Sequence, residues 1–229
     1  GPIGTWTYGA EYYGDFVDSY RRDYAADGSL QSVRPRGPVA DDSRYDSVGA
    51  FIQDEIRPVE RLSVIIGGRY DWAHAAADGA DIDPDATDAV TYDDLSESFE
   101  ALVGSGRALY RLTDHLSPFV GASQGFRAPN LSDLTRFDIA RTSEQEIPAT
   151  DLDPEYFVSY EGGLKGRWER WGGHVAYFFT DIEDMIVRTP TGDVTSSGAI
   201  VVRKDNAGDG YIQGVELGLD WNFYQGLTA

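Results

Sequence analysis

Residues Tyr156 to Trp168 read Tyr-Phe-Val-Ser-Tyr-Glu-Gly-Gly-Leu-Lys-Gly-Arg-Trp and alternate in polarity with a period of two. The even-numbered positions are apolar or glycine, with aromatic residues at both ends, whereas the odd-numbered positions are largely polar and charged. This alternation predicts a β-strand with one apolar and one polar face. A tilted strand crosses a bilayer in about 9–11 residues, and aromatic ends match the interface girdles of membrane barrels.

Two further segments, Tyr211 to Phe223 and Leu62 to Trp72, repeat the alternation. One soluble, half-buried strand would also alternate, so the recurrence and the aromatic ends favour a membrane barrel. We expect eight side chains on the apolar faces to contact outer-membrane lipid: Tyr156, Tyr160, Leu164, Trp168, Val215, Leu217, Leu219 and Trp221.

The whole chain reads as about eight strands, at 5–15, 46–57, 61–73, 98–111, 116–126, 155–168, 172–187 and 209–223. Short turns near 58–60, 113–115 and 170–171 alternate with long connections at 16–45, 74–97, 127–154 and 188–208. This order is typical of an outer-membrane barrel whose short turns lie on the periplasmic side. We predict an all-β, antiparallel up-and-down meander. Because the loops are long and no aromatic residue closes the last strand, we expect an open piece of a larger barrel.

The composition excludes several classes of partner and chemistry. A net charge of -20 argues against a nucleic-acid partner and against a peripheral anchor on anionic lipid. Seven Asp residues and no Lys or Arg lie between His74 and Leu95, which predicts a solvated loop or, alternatively, a surface that binds a divalent cation or a cationic ligand. The sequence contains no P-loop, no Cys/His cluster and no dinucleotide fingerprint, so we predict no cofactor and no metal centre.

Two motifs resemble functional sites but have simpler structural explanations, which we prefer. Gly121 to Gly125 matches the G-x-S-x-G pattern of hydrolases, but Pro129 opposes the helix that a nucleophile elbow needs after Ser123. Asp205 to Glu216 nearly matches a calcium loop, but no amphipathic helix flanks it. We therefore expect a glycine-rich strand and a turn, and no enzyme.

Four segments, in this order, resemble the C-terminal half of TonB-dependent outer-membrane receptors. They are Ser123 to Leu131, Leu152 to Gly166, Ala176 to Ile186 and Gly210 to Leu217; two earlier segments, Ala50 to Glu55 and Gly67 to Asp71, are also similar. The resemblance implies part (residues 1–229) of a 22-stranded barrel in the bacterial outer membrane. It implies import of a scarce nutrient, energised by TonB through an N-terminal plug domain. We expect the plug, the TonB box and the barrel ends to lie outside this chain.

The family motif here is Phe126, Arg127, Ala128, Pro129 and Asn130. In the haem-receptor subgroup, a His in the loop after this motif is associated with haem, and no His lies between Pro129 and Glu155, which counts against haem. The resemblance and the basic residues of the loop favour a ferric siderophore or similar small-molecule chelate. The candidate contacts are Arg127, Arg136, Phe137 and Arg141, which offer bidentate donors and an aromatic face. Arg127 alternatively ties the loop to a neighbouring strand.

Two other functional classes stay open at this point. A passive outer-membrane channel or an adhesion barrel would have the same strands but no plug domain upstream. A soluble β-protein, either a binding module or an enzyme of hydrolase type, is the more remote alternative. The reading frame upstream of Gly1 discriminates among these classes, because a plug domain preceded by a signal peptide is expected only for the energised importer.

Overall fold

A computed structural model describes residues 4–34, 37–79, 81–82, 90–91, 94–141, 143–224 and 227–228. In this part of the chain the strands are β1 (Thr5–Val17), β2 (Arg21–Tyr24), β3 (Leu30–Arg34), β4 (Ser43–Val59), β5 (Leu62–Ala77), β6 (Asp81–Ile82), β7 (Val90–Thr91), β8 (Leu95–Tyr110), β9 (Leu116–Arg127), β10 (Asp138–Arg141), β11 (Glu144–Ile147), β12 (Glu155–Arg167), β13 (Trp171–Glu183), β14 (Ile186–Val194), β15 (Ile200–Asn206), β16 (Gly210–Tyr224) and β17 (Leu227–Thr228). One five-residue helix, α1 (Leu131–Thr135), lies between β9 and β10.

The long strands form one sheet in the order β1-β4-β5-β8-β9-β12-β13-β16, with the two-residue β17 beside β16. We call these eight long strands the wall. Each pairs antiparallel with its neighbours in the chain, and the register of β1 with β4 runs without a slip from Thr5 opposite Glu55 to Val17 opposite Ser43. Among the described residues β1 does not pair with β16, so the sheet is open. The predicted meander of eight strands, open in this segment, is therefore confirmed.

The register places the apolar side chains of successive strands on one face. Leu164 lies opposite Val175, which in turn lies opposite Leu217, and residues directly opposite each other point to the same side of a sheet. Leu217 is 80% exposed although it is apolar, as expected of a face whose solvent is lipid rather than water. Lipid contact itself stays a prediction for this face.

Seven of the eight side chains predicted to face lipid are exposed: Tyr156, Tyr160, Leu164, Val215, Leu217, Leu219 and Trp221. The eighth, Trp168, is half-buried and lies one residue beyond the end of β12. Its ring stacks on Trp171 with centroids 3.8 Å apart and on His115 at 5.8 Å. It therefore belongs to an aromatic stack at the short-turn end of the wall.

The opposite, polar face is bridged by ion pairs between strands. On β5, Arg69 binds Asp71 at 2.8 Å and also Glu11 of β1, two strands away. On β8, Arg107 binds Glu161 of β12, with Nε 2.8 Å from the carboxylate. Oppositely charged side chains of this face thus pair with each other across the strands.

The long connections contain more structure than the sequence predicted. Four of them hold short strands, and β10, β11, β15 and β14 form a separate four-stranded sheet in that order. In it, β11 pairs parallel with β15, so the expectation of purely antiparallel pairing is wrong at this place. The predicted strand 172–187 is also wrong at its end, because Asp184, with a φ of 56°, separates β13 from β14.

The buried apolar cluster lies at the long-loop end of the wall, on the polar face. Here Leu131 and Leu134 of α1 pack with Ala149 and Leu152 against side chains of β5 and β8, namely Ala75, Ala77, Leu95 and Phe99. The connection from β9 to β12 is therefore folded onto the sheet instead of extending into solvent. Among the described residues, no helix is long and apolar enough to cross a membrane.

Replacing Leu217 by Arg should lower the free energy of unfolding by about 2–4 kcal/mol, because a guanidinium at mid-strand would lie near the centre of the bilayer. The measurement is a urea titration of the intact barrel folded in lipid vesicles. Val194→Arg is the matched control, since Val194 is 61% exposed in a connection outside the wall. Equal stabilities of the two variants would contradict an embedded apolar face.

Candidate functional site

The connection from β9 to β12 begins with a tight, well-defined structure. Pro129 is fully buried and lies two residues beyond the end of β9. Asn130 caps α1: its side chain accepts the Asp133 N–H at 3.0 Å, and the Asp133 carboxylate accepts the Asn130 N–H at 3.2 Å. This reciprocal capping box fixes the first turn of a helix that is too short to be stable alone. The family motif thus sets the path of the loop.

Asp133 is the centre of a charge cluster. Its Oδ1 accepts from Lys204 Nζ at 2.5 Å, and its Oδ2 accepts from Arg127 Nη1 at 2.8 Å. Only 7% of Asp133 is exposed. Burial alone raises the pKa of its carboxyl group, but the hydrogen bonds from Lys204 and Arg127 outweigh burial and leave that pKa below 3.8. Because this pKa is lowered, the pairing stabilises the fold fully above the ordinary Asp pKa and is lost only as pH falls through the lowered value.

Arg127 joins this cluster to the wall. Its Nε donates to Glu155, which is the first residue of β12 and is buried, and its Nη1 donates to Asp133. Glu155 also accepts the N–H of Ile186, at the start of β14, at 2.7 Å. The arrangement favours the role of a tie between the loop and the neighbouring strand for Arg127.

A second carboxylate, Glu146 on β11, is completely buried. Its Oε2 lies 2.7 Å from Arg188 Nη2 on β14 and 3.3 Å from Arg136 Nε, just past α1. Its Oε1 has no hydrogen-bond partner among the described residues. A buried carboxylate is tolerated only with such partners. Arg188 therefore joins β11 to β14, and Arg136 joins β11 to the end of α1.

The remaining candidate contacts lie nearby. Phe137 is half-buried, and its N–H donates to Pro38 O at 2.8 Å, which joins the loop to the connection between β1 and β4. Arg141 ends β10, but its side chain lies outside the described residues. The structure therefore places Arg127, Arg136 and Phe137 at one end of the wall. Cargo contact by these residues stays a prediction.

Sequence reasoning missed the carboxylates that organise this region. Asn130-x-x-Asp133 is a capping-box spacing and could have been recognised. Glu146 lies in a Glu-Gln-Glu-Ile segment that resembles solvated loop, and no local pattern indicates that it is buried. Lys204 and Arg188 act through tertiary contacts alone.

A recess of about 430 Å³ lies on the polar face at mid-wall. Hydroxyl groups and one ion pair line it: Ser105, Ser123, Ser159, Thr180, Arg107 and Glu161. Ser123 stands in the middle of β9, opposite Ser105 and Ser159, and the strand continues to Arg127. It therefore lacks the strand-to-helix turn of a nucleophile elbow. Likewise, Asp205 and Glu216 of the calcium-like motif lie on two separate strands.

Three acidic side chains cluster at the long-loop end, but their arrangement alone does not identify a metal site. The ligand atoms of Asp18, Asp41 and Asp42 lie within 4.8 Å of one another, but Asp41 Oδ1 already accepts the Ser19 N–H at 2.5 Å. Exposed carboxylates commonly cluster in this way without an ion. The Asp-rich segment between His74 and Leu95 lies largely outside the described residues.

Comparisons with known proteins agree with this architecture. The family model "TonB dependent receptor-like, beta-barrel" matches residues 2–229. A sequence search among curated proteins gives no significant match.

Three similar solved structures illustrate the shared fold. The copper transporter OprC is 16% identical with a TM-score of 0.70, over 96% of this chain and 33% of that one. A hemophore receptor HasR of Serratia marcescens, solved with hemophore and heme, is 16% identical with a TM-score of 0.69, over 95% and 40%. A ferric enterobactin receptor of Pseudomonas aeruginosa is 18% identical with a TM-score of 0.64, over 100% and 32%. The chain thus spans about a third to two fifths of the length of these three structures.

Replacing Arg188 by Ala should destabilise the four-stranded sheet by about 2–3 kcal/mol, because the buried Glu146 carboxylate then keeps only Arg136. Amide hydrogen exchange of β14 and β15 measures this loss. Arg203→Ala is the matched control: Arg203 lies on the same sheet, but its partner Asp151, 3.4 Å away, has a side chain that is 65% exposed. That change should cost less than about 1 kcal/mol. Similar losses in both variants would show that burial of Glu146 is not decisive.

Proposed function

We propose that this chain, which belongs to the TonB-dependent receptor β-barrel family, serves in the uptake of a ferric siderophore or similar metal chelate across the bacterial outer membrane. The wall provides a lipid-suited apolar face, and the connections at its long-loop end fold onto the polar face. The family match over almost the whole chain is the observation that carries the proposal. In the complete receptor, TonB would act through a plug domain and not through these residues.

The choice of cargo class rests on the similar solved structures and on the composition of the connection between β9 and β12. Solved structures of this fold include a copper transporter, a hemophore receptor with heme, and ferric enterobactin and alcaligin receptors. Each of these cargoes is that of the named protein alone, but together they favour a metal or a metal chelate as the cargo of this chain. The connection 128–154 contains no His, which argues against haem.

Within this chain the best-placed cargo contacts are Arg136 and Phe137. Arg127 is occupied by Asp133 and Glu155, so its guanidinium has little capacity left for a ligand. The Arg136 guanidinium forms longer ion pairs than that of Arg127, at 3.3 Å to Glu146 and 3.6 Å to Asp138, and is therefore held less tightly. Phe137, the next residue, is half-buried. Arg141 stays a candidate from its place in the sequence.

Charge at the long-loop end restricts the chelate further. The connections 18–42, 78–94, 128–154 and 184–209 carry 22 of the 39 acidic residues but only 9 of the 19 basic residues. An anionic chelate would meet a repulsive field, although salt screens that field beyond about 8 Å. A chelate of low net charge therefore suits this end of the wall better than a highly anionic one.

In the full-length receptor, Arg136→Ala and Phe137→Ala should each weaken binding of the cognate ferric chelate about tenfold, through loss of a charged donor or of an aromatic contact. Binding of a panel of ferric chelates of different net charge to cells with matched receptor abundance measures this. Arg170→Ala is the control, because Arg170 lies at the short-turn end. Unchanged affinity in both test variants would place recognition outside this segment.

Uptake itself should depend on the proton gradient. A protonophore should stop accumulation of the ferric chelate but leave its surface binding intact, because energy is required for transport and not for binding. Accumulation that continues at the same rate under the protonophore would indicate a passive channel and overturn the proposal.

A further inference from the structure

We propose that the short-turn end of the wall binds the phosphate groups of anionic phospholipids in the periplasmic leaflet of the outer membrane. The surface consists of the segments 57–61, 111–115 and 167–171, which we call the rim. The inference rests on the proposed function only in placing the wall in that membrane. It concerns the end of the wall opposite to the one proposed to meet cargo.

The rim is one continuous surface. The Arg111 N–H donates to Arg61 O at 2.7 Å, and the Arg167 N–H donates to His115 O at 2.8 Å. The Arg61 guanidinium also donates to Leu112 O at 3.4 Å, so its charge reaches from the first segment to the second. Side chains from three turns, each about 50 residues from the next in the sequence, are therefore held side by side.

The charge of the rim is opposite in sign to that of the chain. The rim carries five Arg and three acidic residues, a net charge of +2 with His115 neutral, whereas the whole chain carries -20. The acidic connections lie at the other end of strands of 12–17 residues, roughly 40 Å or more away at about 3.3 Å per residue. Salt therefore screens their field at the rim. The charged residues of the rim are Arg57, Arg61, Arg111, Arg167 and Arg170, with Glu60, Asp114 and Glu169.

The cations of the rim are available to a ligand. All five Arg are exposed. Among the described residues, only Arg57 of these five forms an ion pair, at 3.3 Å to Glu55, and its side chain is still 72% exposed. A guanidinium offers planar pairs of N–H donors that match the oxygens of a phosphate group. The rim thus presents several donors of the kind that phosphate requires.

Aromatic side chains place the rim at the depth of lipid headgroups. Trp168 stacks on Trp171 and on His115, with ring centroids 3.8 and 5.8 Å apart. Trp171, Tyr110 and Leu112 are exposed although largely apolar. Amphipathic rings concentrate at the interface between membrane and water, where the lipid phosphates lie.

The continuity of the rim with the wall favours a lipid over an acidic protein as the partner. From mid-strand towards the short turns, the exposed side chains change from apolar, at Leu217 and Leu219, to aromatic, at Trp221 and Trp171, and then to cationic, at Arg170. A phospholipid has the same order, because its acyl chains lead to its phosphate. An acidic protein would pair with the cations but would leave the adjoining apolar face uncovered.

Lipid binding to the full-length receptor tests the proposal without any cargo. The probe is phosphatidylglycerol, with zwitterionic phosphatidylcholine as the reference, added to the receptor in detergent and counted by native mass spectrometry. The unmodified receptor should bind phosphatidylglycerol at least tenfold more tightly than phosphatidylcholine. The double variant Arg111→Gln, Arg170→Gln should lose most of this preference, because each Arg near an anionic surface contributes about fivefold to affinity. Arg111→Lys, Arg170→Lys should keep part of it, since Lys retains the charge but not the paired donors.

The matched control is the double variant Arg22→Gln, Arg203→Gln, which makes the same change of charge in the connections at the long-loop end. It should keep the full preference for phosphatidylglycerol. Equal losses in the two Gln double variants, or no preference in the unmodified receptor, would overturn the proposal. Poly-L-glutamate that binds through Arg111 and Arg170 in a receptor without lipid preference would assign the rim to an acidic protein and overturn it as well.

Binding of the panel of ferric chelates separates this inference from the proposed function. The rim variants should bind the chelates as the unmodified receptor does, because the rim lies at the other end of the wall. Failure of the unmodified receptor to bind any ferric chelate would count against the proposed cargo and leave the lipid result intact.

Discussion

Hydrogen bonding of the wall backbone is the constraint on which the structure depends. In a sheet that spans a membrane, lipid offers no partner for a peptide N–H or C=O, so the backbone of each strand must find its hydrogen bonds on the neighbouring strands. Most registers of the wall, such as Glu155–Gly166 of β12 against Arg127–Leu116 of β9, run over nearly the whole strand, whereas β8 and β9 pair over a shorter stretch, Ser105–Leu109 against Ser123–Phe119. Side-chain polarity then follows, because each register assigns every residue to the lipid-suited face or the polar face. The connections, which are free of the requirement, can adopt parallel pairing, a helix and buried charges.

The wall could be predicted from the sequence because its information is local. Alternation around Leu164 and Leu217 and the short turns between strands place each strand to within about four residues of its observed limits. The end of β13 was placed too late because Ile186 and Val187 continue the apolar pattern, whereas the break depends on the backbone of Asp184. The family resemblance rests on the same local segments, and the family match confirms it.

The loop region could be predicted only in part, since its structure is made by distant contacts. The sequence motif indicates that Arg127 is important, but it does not distinguish its partners Asp133 and Glu155 from the many other acidic residues. Glu146 resembles a solvent-exposed residue in sequence and is buried because Arg136 and Arg188 arrive from elsewhere. The pairing of β11 with β15 joins residues more than 50 positions apart, and no periodicity in either segment predicts it.

The pairing register of the wall strands also limits how their length can change. One residue inserted into β5 would move every following side chain of that strand to the opposite face, placing Asp71 on the apolar face and Tyr70 among the ion pairs. Two inserted residues would return the following side chains to their original faces and would only shift them along the strand by two positions. Length variation among related barrels should therefore come in even steps within strands, or be absorbed locally by a bulge. In the connections, length is free to take any value, which leaves the long-loop end able to diverge while the wall stays the same.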